Sequence, residues 1–336
     1  SMKKKYQNGF FIFGIVVLIV MVTQLDFDKV WKGLQNAGYW FFAVVALWFF
    51  LYIFNTASWY FIIRSQETKE EKTKIVIPFW WLYKVSVSGF ALNYATPGGL
   101  MGGEPYRIME LTPKIGVERA TSSVLLFVMT HIFSHFWFWL LSIPLFILTQ
   151  EVSVFMAIIL SLVGTFCVVA IWFFLSGYKK GLAVRMMRLL GNIPGVRKWA
   201  KRYVVEHDEQ LRNIDNQIAA LHNQQRKTFF SVVLSELMCR VFSALEVYFI
   251  LLVLFPSVNY LNCILIISFT TLFANLLFFM PLQLGGREGG FLMSVSGLGL
   301  TASAGIFVAL IVRVRELIWT AIGLLLIKFN KQHRKS

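Results

Sequence analysis

Long runs of mostly apolar residues are the feature that most limits how this chain can fold. They occupy Gly9–Val22, Tyr39–Ile63, Ser153–Leu175, Phe229–Phe255 and Ile306–Ile327. A helix needs about 20 such residues to cross the ~30 Å hydrocarbon core of a bilayer, and most of these runs are long enough. Only 15% of the residues are charged, against about 25% in soluble domains. The sequence therefore predicts an all-α polytopic membrane protein. It excludes a soluble enzyme, a nucleic-acid-binding domain and a disulfide-rich secreted scaffold.

The formal net charge of +15 arises from basic residues that lie between the apolar runs. They concentrate in Lys3–Lys5, 64–74, 176–228 and 328–335. Because short basic loops stay on the cytoplasmic side, this distribution indicates topology rather than a nucleic-acid partner. Both termini are therefore predicted to be cytoplasmic. The loops predicted to face outward are 24–37, 150–152 and 256–261.

The number of crossings between two basic segments predicts a first re-entrant hairpin. Three apolar stretches, 75–96, 118–149 and 153–175, separate the cytoplasmic segment 64–74 from the next one. Three full crossings would leave the strongly basic linker outside, against the positive-inside rule. The conflict disappears if 75–113 enters from the cytoplasm and returns to it.

The second half of the chain predicts a second hairpin by the same argument. Two full crossings after residue 255 would leave the basic tail outside. A hairpin over 262–300 that enters from the opposite face keeps the tail inside. The predicted architecture is therefore six full spans plus two re-entrant hairpins. The spans are 9–23, 38–63, 118–149, 153–175, 229–255 and 303–328.

The whole chain, 1–336, reads as a single integral membrane domain with two repeat halves. The first half is 9–175, the second is 229–328, and a basic cytoplasmic linker, 176–228, joins them. Within this linker, 200–228 is predicted to be an amphipathic helix on anionic lipid. A plain solvated helix is the alternative.

Both predicted hairpin tips carry the same kind of motif. The first, 97–107, and the second, 281–290, each begin with proline and contain a Gly-Gly pair beside charged residues. Related motifs in hairpins of opposite orientation are typical of an inverted-topology repeat. Proline and glycine interrupt helices, and the helix N-termini that follow bind anions.

Arginine in such a turn can bind a phosphate, and glutamate can hold the arginine or bind a cationic headgroup. We therefore predict a substrate-binding site near the bilayer midplane, at the glycine-rich tips. Its residues at the tips are Gly98, Gly99, Gly102, Gly103, Glu104, Arg107, Gly285, Gly286, Arg287 and Glu288.

Four more charged residues join this predicted site. Glu118 and Arg119 are expected at its cytoplasmic mouth. Arg313 and Arg315 lie inside the last span, where charge is costly and usually functional. Because residues two apart cannot share one helix face, at least one of them should face the cavity.

Other polar residues in the spans receive structural interpretations. Glu236 and Arg240 have the i, i+4 spacing of a structural ion pair. His131 and His135 share that spacing without an HExxH motif or a neighbouring carboxylate, so packing or cavity lining is expected. The three cysteines show no paired spacing. The sequence predicts no metal site, no cofactor and no catalytic residue.

These motifs resemble the flippase-like family, also called the lysylphosphatidylglycerol synthase transmembrane region. Its members include the membrane half of MprF and YbhN-like and AglD-like proteins. The resemblance covers roughly 10–330 and is carried by 97–107, by Gly116–Ala120 with Ser123, and by 284–289. Gln283 departs from the family pattern, which often has glycine there.

The resemblance implies a lipid transporter or flippase of the bacterial inner membrane. The substrate would be an anionic or aminoacylated phospholipid, or a polyprenyl-linked lipid. It does not imply an enzyme, because aminoacyl transfer in MprF belongs to a separate soluble domain. No GxxxxGK[ST] motif is present. Energy coupling would therefore use a proton or ion gradient, with Glu104 and Glu288 as the carboxylates, or transport would be uncoupled.

Two alternatives remain open from the residues. One is an integral-membrane enzyme acting on lipid headgroups, with Glu104, Glu288 and His131 as acid–base groups. The other is a lipid-binding scaffold that assists a partner lipid synthase. A homo-oligomer is compatible with all three hypotheses.

Overall fold

The computed structural model describes residues 2–23, 26–66, 76–95, 102–224, 226–276 and 298–329, and these form helices and short connections without strands. The all-α prediction is therefore confirmed. The helices are α1 (Met2–Thr23), α2 (Phe27–Ala37), α3 (Tyr39–Ser65), α4 (Phe79–Ala95), α5 (Gly103–Ile115), α6 (Val117–Thr149), α7 (Val154–Lys180), α8 (Leu182–Leu190), α9 (Arg197–Glu206), α10 (Asp208–Gln224), α11 (Arg226–Leu254), α12 (Tyr260–Leu276) and α13 (Ala302–Phe329).

Four of the predicted spans are helices that are long and apolar enough to cross a bilayer. They are Tyr39–Ser65, Val117–Thr149, Val154–Gly177 and Arg226–Leu254. The other two predicted spans coincide with α1 and α13, and their crossing of the membrane stays a prediction. Three charged residues, Arg313, Arg315 and Glu316, lie close together near the middle of α13.

The predicted outer loop 24–37 contains a helix, α2. Asp26 caps it by accepting a hydrogen bond from the Lys29 backbone N–H at 3.3 Å, and it ends at Gly38 with φ of 55°. A capping aspartate and a left-handed glycine are ordinary helix-boundary signals. The sequence interpretation missed them because the segment is short and mixes charged with apolar residues.

The long helices pack closely through small residues. The hydroxyl of Ser88 on α4 donates to the Gly323 carbonyl oxygen on α13 at 2.8 Å. A Cβ atom at Gly323 would lie 2.6 Å from the Cβ of Ala91. Close backbone approach at glycine and alanine is how helices associate in a membrane, where the hydrophobic effect supplies little.

Helices α4 and α5 form an antiparallel hairpin. The Gly103 backbone N–H donates to Asn93 Oδ1 at 2.8 Å, and Arg107 Nη2 donates to the Ser86 carbonyl oxygen at 3.1 Å. A Cβ at Gly103 would lie 2.2 Å from the Gly89 carbonyl oxygen, so glycine is required for this approach. The chain therefore turns back between α4 and α5. That the hairpin is re-entrant, and that the fold is an inverted repeat, stay predictions.

The basic linker contains three helices rather than one. The apolar residues of α10, Leu211, Ile214 and Ile218, are buried in the same core as α6. Asp215 on α10 accepts hydrogen bonds from the first backbone N–H groups of α8, at 2.6 Å from Ala183 and 3.2 Å from Val184. Helix α10 is thus attached to the protein, and its apolar face is not available to a membrane.

Candidate functional site: a charged cavity between the long helices

A cavity of about 540 Å³ opens between α3, α4, α6, α7, α11, α12 and α13. Both hairpin regions reach it, because Asn93 and Tyr94 of α4 and Asn275 of α12 belong to its wall. These residues precede the two glycine-rich motifs in the chain. The histidines and charged residues of the wall are His131, His135, Glu236, Arg240, Arg315 and Glu316.

Helices α6 and α11 supply one side of the cavity. Glu236 Oε2 lies 2.8 Å from His131 Nδ1, and the Glu236 side chain is only 1% exposed. Arg240 Nη2 donates to the His131 carbonyl oxygen at 2.6 Å and to Ser134 Oγ at 2.8 Å. The predicted ion pair within α11 is therefore replaced by bonds from Glu236 and Arg240 across to α6. These bonds fix both charges at the cavity wall.

His135 lies one turn beyond His131 on the same wall. Its ring packs edge-to-face on His131 and lies against Trp139, with centroid distances of 5.3 Å in both cases. Its Nδ1 atom has no hydrogen-bond partner among the residues that the structure describes. Both histidines therefore line the cavity, which agrees with the expectation of packing or cavity lining.

Helices α11 and α13 supply the opposite charged side. Arg315 binds Glu246 with two hydrogen bonds, Nε to Oε2 at 2.6 Å and Nη2 to Oε1 at 2.9 Å. Trp48 Nε1 also donates to Glu246 Oε2, at 2.8 Å, and its ring lies 4.0 Å from the Arg315 guanidinium. This geometry suits arginine, whose planar group binds carboxylates in pairs and stacks on aromatic rings.

The second arginine of α13 contacts the cavity indirectly. Arg313 bonds to the Tyr94 hydroxyl, and its Nη1 lies 3.6 Å from Glu316 Oε2. Tyr94 and Glu316 both belong to the wall. Of the two arginines, Arg315 lines the cavity, which agrees with the expectation that at least one of them does. Arg313 does not line it but contacts two residues that do, Tyr94 and Glu316.

The charges of the first glycine-rich motif occupy a different environment. Arg107 is 1% exposed and packs over the ring of Phe90, with its guanidinium carbon 4.5 Å from the centroid. A Cβ at Gly89 would lie 2.3 Å from Arg107 Nε, so the guanidinium lies against the α4 backbone. The cavity wall does not include Arg107. Within the described part of the chain, Arg107 fastens α5 to α4.

Glu104 lies between Arg107 and the cavity. Its Oε1 accepts a hydrogen bond from Asn93 Nδ2 at 2.8 Å and lies 3.4 Å from Arg107 Nη1. Its Oε2 has no partner among the described residues. Gly102 and Gly103 are buried at the start of α5. That these residues contact a substrate stays a prediction.

Glu118 and Arg119 lie at the beginning of α6, about three turns before His131. Arg119 Nη2 donates to the Gln66 carbonyl oxygen at 2.6 Å, and Glu118 Oε1 accepts from Asn213 Nδ2 at 3.5 Å. These contacts join α6 to the end of α3 and to α10, away from the cavity. The remaining predicted residues, Gly98, Gly99, Gly285, Gly286, Arg287 and Glu288, lie outside the described residues.

The sequence interpretation missed Glu246 and gave Glu236 and Arg240 only a structural role. A signal was present, because a carboxylate inside an apolar span is costly and usually functional. It was obscured because the i, i+4 spacing of Glu236 and Arg240 suggested that they satisfy one another. Which neighbouring helix they face cannot be read from spacing along one helix.

The chemistry of the cavity is that of an amphoteric binding site. It presents arginine and glutamate within one space that is also lined by the aromatic rings of Trp48, Trp139 and Trp319. Among the described residues, no group of three histidine, cysteine or acidic side chains is arranged to hold a metal ion. The wall suits a ligand that carries both an anionic and a cationic group.

Fold and site together define a helical membrane protein with a charged cavity between its spans. Residues 9–323 match the family described as the lysylphosphatidylglycerol synthase TM region. The match covers most of the chain, which therefore belongs to this family. No curated protein and no solved structure shows significant similarity to the chain.

Proposed function

We propose that the protein is a lipid transporter that moves an anionic, aminoacylated or polyprenyl-linked lipid between the leaflets of a bacterial inner membrane. The observation that carries the proposal is the cavity of about 540 Å³ with buried charges of both signs among helices of membrane-spanning length. Such charges are costly inside a bilayer, and transporters place them along substrate pathways. Family membership supports a lipid as the substrate class.

The headgroup would enter the cavity while the acyl chains stay in the bilayer. Arg240 and Arg315 would bind the phosphate, because both residues belong to the wall. Glu236 and Glu316 would bind an ammonium group, assisted by nearby tryptophan rings. The size of the cavity lies within the ~300–1,000 Å³ that is usual for small-molecule sites.

Alternating access would come from the two hairpins. Helices α4 and α12 both reach the cavity just before the glycine-rich motifs of the sequence. In inverted-repeat transporters, interrupted helices of this kind move around a midplane site. The proposal includes cytoplasmic termini, and any coupling to a proton or ion gradient would use Glu104 and Glu288.

A scrambling assay in proteoliposomes tests the proposal. Purified protein is reconstituted with fluorescent phosphatidylglycerol, and dithionite bleaches only the outer-leaflet probe. Wild-type protein should move inner-leaflet probe to the outer leaflet, where dithionite bleaches it. Arg240→Gln should lower the rate of this movement at least about tenfold, equivalent to about 1.4 kcal/mol. Lys29→Gln, an exposed charge on α2, is the matched control and should transport like wild type. Equal rates in all three proteins and in empty vesicles would refute transport of this lipid.

The Glu236–His131 hydrogen bond favours a second candidate, an enzyme that acts on lipid headgroups. A histidine oriented by a carboxylate is a common general base. His131 Nδ1 lies 2.8 Å from Glu236 Oε2 at the cavity wall. Mass spectrometry of the lipids in sealed proteoliposomes separates the two candidates. Transport without any new lipid species supports the transporter, whereas a converted headgroup that disappears in His131→Ala supports the enzyme.

A further inference from the structure

Helix α8 is held at the level where α7 leaves the membrane. One residue, Gly181 with φ of 86°, separates the two helices. A Cβ at Gly177, the last residue of the candidate span Val154–Gly177, would lie 2.4 Å from Leu182 Cδ1. The Arg185 guanidinium carbon also lies 4.7 Å from the centroid of Phe173, inside that span. Helix α8 therefore folds back onto the end of a membrane helix.

The outer side of α8 carries an exposed apolar stripe. Met186, Leu189, Leu190 and Ile193 are all exposed large apolar residues. Their i, i+3, i+4, i+7 spacing places the helical members on one face, with Ile193 continuing the pattern past the helix end. Trp199 on α9 is exposed too, with its ring 5.3 Å from that of Tyr203. Exposed apolar and aromatic residues at the end of a span are typical of helices that lie in the membrane interface.

The same segment is strongly basic, and its one acidic residue, Glu206 at the end of α9, pairs with Arg202 at 2.6 Å. Between Gly181 and Val205 the sequence contains no aspartate or glutamate. Its basic residues are Arg185, Arg188, Arg197, Lys198, Lys201 and Arg202. In contrast, α10 contains Asp208, Glu209 and Asp215, and its apolar face is buried. The uncompensated positive charge therefore lies on the segment with the exposed apolar stripe, and not on α10, whose apolar face is buried.

A groove of about 740 Å³ between α8 and α10 lies beside the stripe. Arg185, Arg188 and Arg212 belong to its wall. Of its two acidic residues, Asp208 binds Arg212 at 2.9 Å, and Asp215 is bonded to the α8 backbone. Arg188 is exposed at this groove, where a phosphate group can reach it.

We propose that α8 and α9, residues 182–206, form an interfacial segment that binds anionic phospholipid headgroups of the leaflet in which α7 ends. The apolar stripe lies at the boundary between headgroups and acyl chains, and the basic residues contact the phosphates. The site is separate from the central cavity and does not depend on the proposed transport. It also differs from the predicted amphipathic helix 200–228, whose main helix, α10, packs on the protein.

Depth measurements on the full chain in nanodiscs test the location. A nitroxide is attached at Leu189→Cys and, as the control, at Glu209→Cys, which is exposed on α10. Phosphatidylcholine nanodiscs containing phosphatidylglycerol are used. The label at 189 should collide with oxygen more than with a water-soluble nickel chelate, and the label at 209 should show the opposite. Equal access of the nickel chelate to both positions would overturn the proposal. A label at 189 that neither reagent reaches would also overturn it, because the position would then be buried in protein.

Charge substitutions test the ligand class. Spin-labelled phosphatidylglycerol and phosphatidylcholine report the lipid preference at the protein surface. Arg188→Gln/Lys198→Gln should lower the preference for phosphatidylglycerol about threefold or more, because basic residues near the membrane surface attract anionic lipid. Arg188→Lys/Lys198→Arg keeps the charge and should retain the preference. An unchanged preference in the glutamine variant, or an equal loss in both variants, would overturn the assignment to anionic headgroups.

Discussion

The charges of the glycine-rich hairpin and those of the long spans have opposite surroundings. Arg107 lies against its own hairpin backbone and the Phe90 ring, and it is absent from the cavity wall. Arg240 and Arg315 lie in uninterrupted helices and form part of that wall. The comparison shows that the glycine motif marks where two backbones approach. The cavity charges come from residues that no local motif distinguishes.

Packing distance explains the difference. Glycine at 89 and 103 brings α4 and α5 so close that only the flat guanidinium of Arg107 fits beside them. The helices around the cavity are separated by large side chains such as Trp48 and Trp139, which leave space between them. Close approach leaves no space between α4 and α5, whereas wider separation leaves a cavity.

Breaking the Arg315–Glu246 pair should have the largest effect on stability. Glu246→Ala leaves a buried arginine without its carboxylate, which costs about 3–5 kcal/mol. Thermal unfolding in detergent measures the loss. Glu246→Leu/Arg315→Met removes both charges and should recover most of the stability, since buried pairs and apolar pairs are often nearly equal. If the double variant is as unstable as Glu246→Ala, the loss comes from the missing ion pair and not from an unpaired buried arginine.

Widening the hairpin should have the next largest effect. Gly103→Ala places a Cβ 2.2 Å from the Gly89 carbonyl oxygen, and such overpacking costs about 1–3 kcal/mol. The same unfolding assay applies. Gly9→Ala is the matched control, because a Cβ there meets nothing within 4 Å, and it should not destabilise. Equal stability of the two variants would contradict the close approach of α4 and α5.

Removing one polar contact at the cavity should have the smallest effect. Trp48→Phe deletes the hydrogen bond to Glu246 but leaves the carboxylate bound by Arg315. We expect a loss of about 0.5–1.5 kcal/mol in the unfolding free energy. Trp40→Phe, at an exposed tryptophan of the same helix, should change stability less. If the two variants lose the same stability, the Trp48–Glu246 bond contributes nothing.

The sequence predicts the long helices well, because each of them follows from the composition of one segment. Apolar run length predicts α3, α6, α7 and α11 directly. Counting crossings between basic segments predicts a re-entrant hairpin over 75–113. Helices α4 and α5 pack against each other in antiparallel fashion, and their re-entrant insertion stays a prediction. These inferences need only composition and charge along the chain, which are properties of single segments.

The cavity was harder to predict because it depends on pairs of helices. Glu246 meets Arg315 from another helix, 69 positions away in sequence. Spacing within one helix suggested that Glu236 and Arg240 pair together, whereas both bond across to α6. Helix α2 was missed for a different reason, since its 11 residues are too few to show a clear period.

Identifying the lipid that copurifies with the protein tests most directly whether the cavity binds a headgroup. Native mass spectrometry in mild detergent compares wild type, Glu236→Gln/Arg240→Gln and Lys29→Gln. The cavity variant keeps the net charge of the wild type, so a loss of lipid reports the site rather than the overall charge. The predicted result is that wild type and Lys29→Gln each retain one more lipid molecule of a single class than the cavity variant does. Equal retention by all three proteins would contradict a headgroup site in the cavity.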